Sequence, residues 1–477
     1  MATKNTATTQ QQSQAQLYYT AGLDIGNGYV KGLIGINDAA EAVTSKRTVF
    51  NSTDTVPRDE VDMPSVATAL TRTNHMAQPD DEAVSAVQAG AKSKRNTTED
   101  ARDFFNAVSL TPRSTMIRDE RRYLVGSRAL HADGYMQDFA VTGSTASKAE
   151  QPLSKLLVLS IVAAKAVRDY VTHHGALPGP NSEVANTTGE TAITAHVTAA
   201  LALPITEFVA HRHAYAADFT GPDNTAPLVH TVTVNNFDTP VTVNIIFDAV
   251  QVIAEGASAQ YAISQSKAGL IEHMLDDVRS REAEPGDYVD PDITADDVRA
   301  ATNTVGVDIG EGTVNFAVFT DGKFNTDASH TYPKGYGTIM EQALMDMESK
   351  NVRMFSSRKQ LAEFLLTEPS PMKRNQYNHV KSFVDTQIDY FVDDMVRAFG
   401  QLMSTVGVAT EVVYVYGGGS APMREQLLPA LIAKVQEMTS FGGFPVLYLD
   451  AQYSRNLNRQ GLLLAAQTVA RNSAAAK

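Results

Sequence analysis

The chain has 477 residues, enough for two or three domains with substantial cores. A net charge of −14 argues against direct, non-specific binding to nucleic acid and against docking on anionic lipid, so an acidic partner would be reached through a basic adaptor. With no cysteine, disulfides, thiolate zinc sites and cysteine catalysis are excluded, and a reducing, cytoplasmic setting is expected.

Residues 1–16 are rich in Thr, Gln and Ala and lack the apolar core of a secretory signal, so a disordered tail is expected. The first strong pattern is Leu23-Asp24-Ile25-Gly26-Asn27-Gly28-Tyr29-Val30-Lys31, read as strand, glycine turn and strand. The pleat sends Asp24 to the face opposite Leu23 and Ile25. Gly26 and Gly28 let the turn leave successive N–H groups bare for an anion, and Lys31 adds positive charge from the outgoing strand. An acid ahead of such a turn meets phosphate through a hydrated Mg²⁺. Residues 43–62 are mixed and polar, Met63-Pro64-Ser65-Val66 is extended, and Thr71 to Asp100 is a candidate mobile excursion. Tyr123 to Gly126 is a short strand.

Leu153 to Tyr170 reads as a buried helix, whose uncharged run from Leu156 to Ala164 is too short to span a bilayer. His173 to Thr191 is a loop, and Ile193 to Leu203 a strand closed by Pro204. Val229–Val234 and Val241–Phe247 form an antiparallel pair around Asn236-Phe237-Asp238. Val250 to Ala254 is a further strand, running into Glu255-Gly256 and a small-residue helix from Ala257 to about Gln265. His173, His174, His211 and His213 read as solvated loop histidines rather than metal ligands. Arg279 to Asp297 is charged and proline-punctuated, with a lobe boundary just after it.

A second hairpin, Val307-Asp308-Ile309-Gly310-Glu311-Gly312-Thr313-Val314-Asn315, repeats the first: Asp24 corresponds to Asp308, Gly26 to Gly310 and Gly28 to Gly312. Asp321-Gly322 is a tight-turn signal. Helices over Ile339–Met347 and Tyr377–Met403 flank an inserted segment near Ser356–Pro371. Val412 to Tyr416 is a buried strand running into Gly417-Gly418-Gly419-Ser420, where glycines admit a flat ligand. Helices follow over Met423–Met438, despite Pro429, and Leu457–Ala470.

Two Asp-x-Gly-x-Gly hairpins followed by strand-Gly-Gly-Gly resemble the actin–Hsp70–sugar-kinase ATPase superfamily, and within it the bacterial plasmid-segregation actins of the ParM/StbA group. Val252-Ile253-Ala254-Glu255-Gly256, with Ala254 where proline is common, and Arg455-Asn456 with Gly461-Leu462 extend the resemblance. It implies an α/β, two-lobed, ribonuclease-H-like fold with nucleotide in the cleft between the lobes. Lobe I would span 17–303 with an inserted subdomain at about 45–130, and lobe II 304–450 with one at about 338–400. Residues 451–477 would return as a helix to lobe I.

The resemblance also implies ATP, or GTP, with Mg²⁺. Asp24 and Asp308 would hold the metal through water. The segments Gly26, Asn27, Gly28, Tyr29 and Gly310, Glu311, Gly312, Thr313 would clamp phosphates, Lys31 would neutralise them, and Gly417, Gly418, Gly419 and Ser420 would lie by the base. Glu255 would orient the attacking water. Asp308 and Asn315 are the other catalytic candidates, although an amide positions water without acting as a base. Local alternatives stand beside these roles. The two aspartates could initiate turns, Lys31 could be a solvated strand residue, and Glu255 could be an acid at a helix start.

The implied function is a cytomotive filament that assembles with itself and moves plasmid DNA through a DNA-binding adaptor, with no membrane contact. The alternative is a sugar or small-molecule kinase of the same superfamily. Against it stand the absence of tryptophan for a sugar platform and of a clear Gly-x-Asp base between the hairpins. An Hsp70-like chaperone would need a substrate-binding β-domain, which is not expected after the second lobe.

Overall fold

A computed structural model of the chain describes residues 16–36, 58–70, 104–139, 147–178, 191–222, 226–266, 268–281, 290, 292–439 and 443–475. Residues 1–15 of the tail expected over 1–16, and the excursion expected over 71–100, lie outside the described residues, whereas Gln16 already opens a strand. Among the described residues, ten strands of the first half join one sheet. They are β1 (Gln16–Ile25), β2 (Tyr29–Ile36), β3 (Arg58–Pro64), β4 (Val66–Ala69), β5 (Ser109–Arg113), β6 (Tyr123–Val125), β7 (Tyr135–Asp138), β8 (Ala192–Leu203), β9 (Val229–Val234) and β10 (Val241–Ala254). Their order is β3-β2-β1-β8-β10-β9-β5-β6-β4-β7. The strands over 58–69 and 109–138 thus extend the main sheet at both edges, β3 beside β2 and β5 beside β9. The parallel neighbours β1, β8 and β10 form its centre, and their ends carry the first hairpin and Glu255.

The second sheet holds β11 (Thr304–Ile309), β12 (Val314–Thr320), β13 (Lys323–Phe324), β14 (His330–Tyr332), β15 (Val412–Tyr416) and β16 (Val446–Tyr448). Its order is β13-β12-β11-β15-β16, with β14 also beside β12. Asp321 and Gly322 both take positive φ, 50° and 72°, in the expected two-residue hairpin turn. In each sheet a glycine hairpin lies beside a parallel strand, so the two lobes repeat one arrangement.

Among the described residues the helices longer than one turn are α1 (Pro152–His174), α2 (Ile205–Thr220), α3 (Ala257–Ser264), α4 (Ala268–Arg281), α5 (Ala295–Ala300), α6 (Tyr336–Ser349), α7 (Arg358–Leu366), α8 (Arg374–Val406), α9 (Arg424–Met438) and α10 (Leu457–Ala475). Helix α1 starts at a proline in its first turn and stops at left-handed Gly175. It is buried on every side against the first sheet. Its charges survive burial because they are paired: Lys165 Nζ lies 2.9 Å from Asp59 and 2.7 Å from Asp169, and Arg168 reaches Asp59 at 3.0 Å. Helix α10 crosses back from the end of the chain onto β1, β8 and α3.

Several expectations need correcting. His173 and His174 belong to the last turn of α1, where each Nδ1 meets a carbonyl four residues back. His211 and His213 lie on α2, in a stretch read as loop; no metal-binding cluster occurs among the described residues. The strands expected over 241–247 and 250–254 are one strand, β10, whose bulge between Phe247 and Ala249 breaks the alternation that the sequence shows. The charged stretch after Arg279 begins as the end of α4 and closes on a capping box, in which Thr294 and Asp297 exchange hydrogen bonds ahead of α5.

Candidate active site

The register of the first hairpin sets Asp24 directly opposite Lys31, so acid and lysine share one face. In the second hairpin the same register sets Asp308 opposite Asn315. Each turn is anchored from outside. Ser65 donates from its hydroxyl to Gly26 O (2.5 Å) and from its N–H to Gly28 O (3.0 Å). Gly310 O and Glu311 O accept from the N–H groups of Tyr336 (2.9 Å) and Gly337 (2.7 Å) at the start of α6.

The two turns face each other across the cleft. A Cβ at Gly312 would lie 2.1 Å from Asn27 Nδ2, and one at Gly28 would lie 3.0 Å from the Glu311 side chain. The strand exit of the second sheet closes the third side. Gly417 sits at φ +100°, Gly419 N–H donates to Ile309 O (2.8 Å), and Lys31 Nζ reaches Gly418. Together these elements line a cavity of about 460 Å³.

Within it stand three buried carboxylates, the buried Lys148 and the half-buried Lys31. Asp24, Asp308 and Glu255 are 7%, 4% and 8% exposed. Glu255 Oε1 pairs with Lys148 Nζ at 2.5 Å, and Oε2 accepts from Asn315 Nδ2 at 3.0 Å. Its carboxylate makes no hydrogen bond that caps α3, whose N-cap is the next residue, Gly256. Asp308 Oδ2 accepts from Asn458 Nδ2 (2.8 Å), and Asn458 Oδ1 accepts from Ser258 Oγ (2.8 Å).

Burial, then the Glu255 charge, pushes Asp24 up to about 6 against the pull of Lys31 and Lys148. Burial pushes Asp308 up to about 7; the Asn458 hydrogen bond opposes the rise and the charges of Glu255 and Asp24 add to it. Burial lowers Lys31, with Asp24 opposing. For Lys148 burial works downward too, but Glu255 and Asp24 outweigh it and hold the ammonium above its usual value.

An acid with a raised folded-state value costs stability as pH rises. Below its unfolded value it is protonated in both states and costs nothing. Through the window between the unfolded value and about 7 the cost of Asp308 grows, and above that it is constant. Ligand-free Asp308→Asn is therefore expected to exceed the wild type in stability by an amount that increases from about pH 5 to about pH 8. Denaturant midpoints at both pH values check this; an equal difference at the two would show that Asp308 does not titrate there.

Asp24 and Asp308 fit a hard divalent cation in charge and donor type: carboxylate oxygens that face each other's charge, unfavourably, in a buried cleft. No group of three or more histidine or carboxylate side chains converges on one point among the described residues.

All the sequence-derived site residues line this cavity except Ser420. Ser420 is fully buried behind the loop, with Oγ 2.9 Å from Gly417 O and 3.1 Å from Ser454 Oγ. It braces the glycine exit and does not face the cavity. Sequence reasoning missed Lys148, Asn458 and Arg358, which also line it. Arg358, at the start of α7, pairs with Glu341 (3.0 Å) and Glu311 (3.3 Å). Each of the three lies far along the chain from the residue it touches, and Asn458 occupies an unspecified position within the Arg455–Leu462 stretch.

No family model and no curated protein sequence matches the chain. Solved structures do. A non-polymerisable quadruple mutant of pCBH ParM is 15% identical, with 94% of this chain and 99% of that chain covered and a TM-score of 0.52. A ParM from a 15-stranded Clostridium botulinum filament is 14% identical, with 95% and 99% covered and a TM-score of 0.52. The actin-like protein Alp7A is 14% identical, with 96% and 98% covered and a TM-score of 0.54. At such identities the likeness is one of fold, and the chain has the two-lobed actin-like α/β fold expected from its hairpins.

Proposed function

We propose that the chain is a nucleotide-dependent polymerising ATPase of the actin-like kind, binding ATP, or GTP, with Mg²⁺ between its lobes. The observation that carries this reading is the convergence of both Asp-x-Gly-x-Gly turns, the Gly417–Gly419 exit and Glu255 on one cavity. The bare N–H groups of the two turns bind the phosphates, and Lys31 offsets their charge. Mg²⁺ would neutralise the phosphate oxygens, with Asp24 and Asp308 holding its waters. Glu255, fixed between Lys148 and Asn315, orients the attacking water.

Nucleotide ties the two lobes together from inside the cleft, which makes subunit shape, and so assembly, depend on its state. One structural neighbour is itself a ParM filament, and the same behaviour is proposed for this chain. Its net charge of −14 calls for a basic, DNA-bound adaptor if the cargo is plasmid DNA. No described helix is long and apolar enough to cross a membrane.

The test is sedimentation of the full chain with ATP or GTP and Mg²⁺. Pelleting is expected with triphosphate, and moderate salt should favour it by screening the repulsion between acidic subunits. Pelleting that declines steadily from low salt would mean that attractive ion pairs dominate. A chain that stays monomeric with every nucleotide, and turns over ATP only when a sugar is added, would replace the filament by the kinase reading.

A further inference from the structure

Lys148 stands in the turn ahead of α1, in a stretch without any motif. Its ammonium and the Glu255 carboxylate form a pair 2.5 Å apart whose side chains are 5% and 10% exposed. The turn is fixed by Ala149 N–H, which donates to Glu207 Oε2 on α2 at 3.2 Å. The other Glu255 oxygen is held from the second lobe by Asn315. Asn315 is itself immobilised, its Oδ1 accepting from Thr331 Oγ1 (2.8 Å) and Ile205 N–H (3.3 Å). Each carboxylate oxygen is thus gripped from a different lobe.

We propose that Lys148 is a positioning residue for hydrolysis, holding the Glu255 carboxylate in the one orientation that directs the attacking water at the terminal phosphate. The proposal rests on the reading of Glu255 as the water-orienting residue. In the step it serves, the water oxygen bonds to the terminal phosphorus as the bond to the bridging oxygen breaks. The electron pair of that bond leaves with the nucleoside diphosphate. The water's proton passes to Glu255 and is returned to the released phosphate. Lys148 takes no proton; it fixes the geometry in which the transfer occurs. A buried Lys–Glu pair can also be purely structural, and the two roles separate by kinetics.

Single-turnover ATP hydrolysis and Mg·ATP affinity are measured on the full chain for Lys148→Met, Lys148→Arg, Glu255→Gln and the Lys148→Met/Glu255→Gln double variant. Lys148→Met is expected to slow hydrolysis by about 10²-fold, the cost of misplacing a reacting group by roughly 1 Å, with affinity within about threefold of wild type. The double variant should be no slower than Glu255→Gln alone, because residues acting as a unit are not additive. Lys148→Arg keeps the charge but displaces the carboxylate, and should be at least about tenfold slow at unchanged affinity.

Should Lys148→Met fail to fold with Glu255 left unpaired, the arginine variant decides alone. Wild-type hydrolysis in Lys148→Arg, or losses that multiply in the double variant, overturns the proposal. Normal hydrolysis in Glu255→Gln overturns the Glu255 reading and this proposal with it. A defective Glu255→Gln beside normal Lys148 variants overturns only this proposal.

Discussion

Glu255→Gln is expected to lower ATP hydrolysis by about 10²–10⁴-fold, the usual worth of a positioned general base, while leaving nucleotide binding nearly intact. No phosphate-binding N–H is removed, since Glu255 touches Lys148 and Asn315 and the substitution leaves both glycine turns unaltered. Glutamine is the informative replacement because its carbonyl can still accept from Lys148 or Asn315. Alanine would strand the Lys148 ammonium, 4% exposed, without a partner, and breaking a buried ion pair in this way costs about 3–5 kcal/mol. Loss of activity in Glu255→Ala could then reflect unfolding. With glutamine, assembly should survive and the polymer should persist, because its loosening step is blocked. Phosphate release and light scattering on one sample test both halves. Normal phosphate release would leave the water to Asp308 or Asn315.

Gly461→Ala is expected to destabilise the fold by about 3 kcal/mol or more, at the upper end of overpacking changes. Alanine in an unencumbered helix interior would instead stabilise by about 1 kcal/mol. The sign reverses here because a Cβ at Gly461 would lie 1.7 Å from the backbone carbonyl of Ser258. Backbone cannot swing aside as a side chain can, so α10 and α3 would have to separate. The consequence reaches the cleft. Asn458, in the preceding turn of α10, bridges Ser258 Oγ to Asp308 Oδ2, and lifting the helix withdraws that bridge. Denaturant midpoint and Mg·ATP affinity should therefore fall together. A rise in midpoint would mean that α10 does not rest on α3 at this point.

The two glycine turns of the cleft were legible in the sequence because their geometry is local. Asp, Gly and Gly at fixed spacing between two apolar runs specify a hairpin, the face of its acid and the bareness of its turn, and a second copy removes the ambiguity of one. Long apolar periodicity likewise marked α1 and α8, although the ends of both run a few residues beyond the pattern.

Other features have no local signature. The bulge at Asp248 hid the continuity of β10, since one extra residue shifts the alternation by which a strand is recognised. Lys148 meets Glu255 only because α1 and β10 pack on one sheet, and before that contact it is one more charged residue in a polar turn. Asn458 meets Asp308 only because glycines at positions 22 and 461 let α10 lie against β1 and α3. The sequence by itself determined where the paired glycine turns of the cleft lie, because turn geometry is set within a few residues. Only the tertiary structure decided how the carboxylates are held, because a buried charge takes its partner from whatever element packs beside it, at any distance along the chain.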